Sequence, residues 1–127
     1  MNKLIEATTA ALVLVAAASS SLAAGMPQQP PRMTGQQLIE NFQAGADLSV
    51  SSQRPDLIMK MRVADGYLAG VADAFHGSAW CSDGSVKYDE INSTVIFSLK
   101  KLGKEKLSAP AAGLVKESLA KLFPCRR

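Results

Sequence analysis

Apolar and polar positions divide the chain into two unlike parts. From Ala7 to Ala18 an unbroken run of Ala, Thr, Leu and Val shows no period, whereas beyond Thr34 apolar residues recur at helical spacing as far as Leu122. Thr34-Gly35-Gln36-Gln37 reads as a capping box, Leu38, Ile39 and Phe42 form a short apolar face behind it, and Gly45 closes the segment. After Pro55, the residues Leu57, Met61, Ala64, Leu68, Val71 and Phe75 follow one another at intervals of three and four, a single stripe down a long helix that stops at Gly77. A second line on that helix, Gly66, Gly70 and Ala74, holds only small side chains. Such a face lets another backbone approach closely, so the helix is expected to have partners on two sides and to lie at the centre of the fold. A second copy of the chain would suit that face as well as an internal helix does.

Two further helices follow. Tyr88, Ile91, Val95, Leu99 and Leu102 repeat the helical interval, and Gly103 ends the stretch. Ser108 is expected to cap the last helix, with Pro110 in its first turn, where a missing amide costs nothing; Ala111, Leu114, Val115, Leu119 and Leu122 supply its buried face, and Pro124 stops it. No strand alternation persists anywhere. The predicted fold is therefore all-α, a small four-helix bundle with orthogonal or antiparallel packing.

The unperiodic start has a different meaning. Lys3 gives a weak positive beginning, the apolar run covers about a dozen residues against the roughly 20 needed to span a bilayer, and Ser21-Leu22-Ala23 offers small residues at a cleavage site. Glu6 is the discordant residue. The pattern predicts a signal peptide over residues 1–23, a Pro-rich tether over 24–33 containing Pro27, Pro30 and Pro31, and a helical domain over 34–127 exported to the periplasm. No Cys stands at the cut, so lipoprotein processing is not expected. Stable membrane insertion after cleavage is not expected either.

Charge changes this picture little. The 127 residues carry a formal net charge of +3, and Lys3 and Glu6 cancel within the signal segment. Basic residues are scattered from Arg32 to Arg127 without interleaved aromatics, which argues against nucleic acid as a partner. Cysteine changes it more. Cys81 and Cys125 are an even pair, and in an oxidising compartment they predict a disulfide. It would close a loop of about 45 residues, worth roughly 4 kcal/mol by loop-closure entropy, and would pin the chain's end to the loop after the long helix.

Catalytic chemistry is hard to assemble from these residues. His76 is the single His and sits at the end of the long helix, where an imidazolium suits the dipole. Two Cys and one His fall short of a four-ligand zinc site, and no cofactor motif, phosphate loop or nucleophile elbow is present in the sequence. Asp65 and Asp73 on the long helix can be read as pocket-facing or as solvated; Asp89 and Glu90 fit the start of the third helix. The expectation is a binding protein rather than an enzyme. Trp80, the single Trp, reads first as a packing lid over the disulfide and second as a contact residue.

Taken in order, Thr34-Gly35-Gln36-Gln37-Leu38, Gly66-Tyr67-Leu68-Ala69-Gly70-Val71-Ala72-Asp73-Ala74, Trp80-Cys81, Ala109-Pro110-Ala111-Ala112 and Leu122-Phe123-Pro124-Cys125 resemble the Tai-type (Rap-type) immunity proteins of type VI secretion amidase effectors. The likeness covers nearly all of the chain after residue 33. It implies a small helical periplasmic protein, often a homodimer, that binds a peptidoglycan-cleaving amidase of the cysteine-histidine type and blocks its cleft. The Cys81–Cys125 pair matches one bridge of that family. The family usually has a second bridge, and at its positions this chain has Phe42 and Ala64, a large and a small side chain suited to filling the same volume. Inhibitors of clefts tend to use protruding loops, which points to the segment from Gly77 to Tyr88 and to Trp80, Asp83, Lys87 and Tyr88 as partner-binding residues. The alternative is a periplasmic stress or chaperone-like helical protein unrelated to a toxin, which would expose apolar surface when loosened by acid.

Overall fold

A computed structural model describes residues 32–47 and 53–126. The expected signal peptide and all but the last two residues of the expected tether lie outside the described residues. Among the described residues five helices follow in order: α1 (Gly35–Gln43), α2 (Pro55–Phe75), α3 (Tyr88–Leu99), α4 (Lys104–Leu107) and α5 (Ala111–Leu122). Among the described residues there is no strand, only the isolated bridges Thr34–Pro110 and His76–Trp80. The fold is all-α as expected, with one helix more than the four in the sequence reading.

The extra element is α4, a single turn between α3 and the last helix, and it reassigns Ser108. That hydroxyl does not cap α5. It ends α4, donating to the carbonyl of Glu105 at 2.6 Å. Pro110 takes the cap position of α5 instead and has no side-chain hydrogen bond to offer. The orphan amides there are met by the chain ahead of α1: Ala111 N–H donates to Met33 O at 3.0 Å, while Gly35 N–H donates to Ala109 O at 3.1 Å. Two helix starts thus satisfy each other.

The Thr34 box forms as the sequence predicts. Thr34 Oγ1 accepts from Gln37 N–H at 3.2 Å and Gln37 Oε1 accepts from Thr34 N–H at 3.0 Å. Met33, read from sequence as tether, is 8% exposed and belongs to the core. With Thr34 as cap, Met33 and Leu38 occupy the two positions of a hydrophobic staple, and both lie in the same core cluster.

That cluster draws on every helix. Leu38 of α1, Leu68 of α2, Val95 and Leu99 of α3, and Val115 and Leu119 of α5 are its most deeply buried large side chains, and Leu107 adds the contribution of α4. The most extensive helix pair is α1 with α2. Ala64 is wholly buried on α2, and Phe42 packs from α1 against the same cluster, so both positions that would carry a second bridge contribute apolar packing to the core. The stripe on α2 faces inward as its period predicts. Its line of small residues does not have the expected helical partner: Gly66, Gly70 and Ala74 are exposed, and a Cβ built on Gly66 or Gly70 meets nothing within 4 Å. The long helix therefore packs along one side and leaves the other open.

Cys81 and Cys125 are joined, with their Cα atoms 4.7 Å apart. Beside the bridge, Cys81 N–H donates to Phe123 O at 3.0 Å, so the chain's end is held to the α2–α3 loop by both a covalent and a hydrogen bond. No helix among the described residues is long and apolar enough to cross a membrane.

Candidate partner-binding cleft

The end of α2 determines the shape of the loop that follows. A helix leaves its last four carbonyls without intrahelical donors. Here Phe75 O accepts from the N–H groups of Ser78 and Ala79 and from Ser78 Oγ, all at 3.0 to 3.2 Å. Ala72 O is met by a side chain from the loop, Trp80 Nε1–H at 2.8 Å. The chain turns back sharply enough for this because Gly77 adopts φ +77, a left-handed conformation that costs glycine little. Gly77 N–H then donates to Trp80 O at 2.8 Å.

Trp80 is 2% exposed. Its ring lies edge-on to His76 at 4.9 Å and to Phe123 at 6.1 Å, and the next residue is the half-cystine Cys81. It is a buried wedge between the end of α2 and the end of the chain. His76 stands at the end of α2, as its C-cap. His76 leaves the helix in an extended conformation, and its Nε2 accepts from Ser82 N–H at 3.4 Å.

Beyond Cys81 the loop rises into a ridge. Asp83 Oδ1 accepts from Ser85 N–H at 2.9 Å, Ser82 Oγ accepts from Gly84 N–H at 3.2 Å, and Gly84 takes φ +83 at the tip. The Ser85 hydrogen bonds hold the Asp83 carboxyl below the usual carboxylate range, so it is ionised at neutral pH. Lys87 N–H donates to Glu90 Oε2 at 3.2 Å as the chain enters α3, where Asp89 and Glu90 suit the positive end of the dipole.

Depressions flank this ridge. On one side an open cleft of about 1040 Å³ lies between α2, the ridge and the start of α3. On the other side a shallower hollow of about 550 Å³ lies against the disulfide and Phe123. Trp80, Asp83, Lys87 and Tyr88, named from sequence, all border the larger cleft. They do so in different ways: Trp80 belongs to its buried floor, Asp83 and Lys87 are exposed, and Tyr88 stands out at 78% exposure. Tyr88 is thus absent from the core stripe predicted for α3.

The sequence reading missed Asp89, Val86 and Ile91 as cleft residues, and it left Asp73 undecided beside Asp65. Eight residues separate those two carboxylates, and at about 100° per residue they sit some 80° apart around the helix. Only Asp73 borders the cleft. Among the described residues, no group of three or more His, Cys, Asp or Glu side chains is placed to hold a metal ion.

No curated protein is similar enough to count as a relative. The sequence pattern of the Rap1a immunity proteins, by contrast, matches residues 34–125, from the capping box of α1 to the second half-cystine. Those residues include all five described helices, the bridge and the whole cleft, and the chain belongs to the Rap1a immunity protein family.

Proposed function

We propose that the protein is a periplasmic immunity protein that binds a peptidoglycan-cleaving type VI secretion amidase effector and blocks its active site. It acts as a stoichiometric inhibitor and not as a catalyst. Membership of the immunity family is the observation that carries this reading. The geometry supports it. A rigid ridge, anchored at its base by the disulfide and by Trp80, offers a preorganised surface, and preorganisation reduces the entropy lost on binding. Residues 1–23 serve as the export signal in this reading, which places the mature chain in the compartment where the cell wall is cut and allows the bridge to form.

Within the ridge, Asp83 is the exposed polar contact and Tyr88 the exposed aromatic one, with Lys87 between them in sequence. Trp80 supports them from beneath. The test is direct: the purified mature chain, mixed with an amidase effector encoded beside it, should stop peptidoglycan hydrolysis at one equivalent. Full hydrolysis in the presence of excess protein would overturn the proposal.

A further inference from the structure

The cleft separates into an apolar floor and a charged rim. Trp80 and Ile91, 2% and 3% exposed, form the floor with half-buried Val86. Asp73, Asp83 and Asp89 stand exposed around it, opposed by Lys87 alone among the Lys and Arg residues that border the cleft. The rim is therefore net negative, although the chain as a whole carries +3. Ion pairs do not neutralise it: among the described residues the salt bridges are Arg54–Asp56 and Glu117–Lys121, both away from the cleft. Arg126 acts weakly on Asp83 from the hollow behind the ridge. Tyr88 places an exposed ring at the mouth.

We infer that this cleft receives a projecting segment of the effector that carries a Lys or Arg next to an apolar side chain. The inference rests on the immunity reading and adds a direction to it: the partner also inserts into this chain. Long basic side chains match both parts of the site. Their methylene stems lie on apolar surface, while the cationic head reaches the carboxylates and the face of an aromatic ring. The volume, about 1040 Å³, accommodates a short loop rather than one side chain.

The experiment measures association and dissociation rates of the full mature chain with a type VI secretion amidase effector, the proposed target, across ionic strength. The variants are the triple D73N/D83N/D89N, K87E and Y88A. Asn keeps the acceptor oxygen on which the Asp83 turn depends, so the triple variant removes charge without removing that hydrogen bond. Removing three rim carboxylates is expected to slow association about tenfold at low salt and to flatten its salt dependence. Lys87→Glu should act in the opposite sense and speed association, and Tyr88→Ala should speed dissociation. A wild-type complex with rates unchanged in the triple variant, or slowed by K87E, overturns this inference and leaves the immunity reading standing. Absence of any wild-type complex overturns both.

Discussion

Replacing Gly66 and Gly70 by Ala measures whether the outer face of α2 is open in solution. Both residues are in the middle of a 21-residue helix, both are exposed, and an added Cβ meets nothing within 4 Å at either. Glycine in a helix interior is less favourable than Ala by about 0.8–1.0 kcal/mol, because more backbone freedom is lost on folding. With no steric penalty to offset that gain, each substitution should stabilise the domain by about 1 kcal/mol, or about 4–8 °C in Tm for a domain of this size. Thermal unfolding followed by far-UV circular dichroism, repeated over a hundredfold range of protein concentration, provides the assay. A Tm that falls on substitution, most of all at high concentration, would refute the reasoning. It would mean that another backbone lies against these glycines, as the small-residue pattern first suggested.

Other outcomes follow from single contacts. Converting Cys81 and Cys125 together to Ser should lower stability by roughly 4 kcal/mol on loop-closure grounds, read as a fall in urea midpoint that reductant reproduces in the wild type. Trp80→Phe deletes the donor to Ala72 O and leaves a carbonyl at the end of α2 without that partner; denaturant unfolding should show a loss of about 1–3 kcal/mol. The carboxyls of Asp56, Asp83 and Glu117 are each held below their ordinary range by hydrogen bonds from Arg54, Ser85 and Lys121 respectively. Their contribution is present above the unfolded carboxylate pKa and is lost as pH falls through the lowered folded values. All three are exposed, so a pH series of thermal melts from neutral to acid should show only a shallow decline in Tm in that window.

Local chemistry made much of this fold legible. The Thr34 box, the stripe from Leu57 to Phe75 and the pairing of the cysteines depend on short-range periodicity or on compartment, and each is present. Other features depend on what lies across the bundle. Tyr88 shares the interval of Ile91, Val95 and Leu99 but is the first residue of its helix. Side chains there lean past the helix start, toward the loop rather than the core. The helix α4 is too short to show a period, and its presence moves Ser108 from one helix's beginning to another's end. Met33 stands among prolines and looks like tether; its staple position relative to Thr34 was the available signal. The small-residue line on α2 shows the limit of that approach, since small side chains permit close packing without requiring it.

In the candidate site, the sequence indicated the loop but not the cleft. Trp80, Asp83, Lys87 and Tyr88 are close in sequence, whereas Asp73 and Ile91 join them only because α2 and α3 meet at this end of the bundle. Trp80 illustrates the gain from structure: its indole N–H is committed to Ala72 O, which makes it a support for the ridge rather than an exposed anchor.

The measurement closest to the central claim is peptidoglycan hydrolysis by a type VI secretion amidase effector, the proposed target, titrated with the mature protein. Activity is expected to fall linearly to zero at one equivalent, as tight binding of an immunity protein requires. Hydrolysis that continues unchanged at a large excess would contradict it.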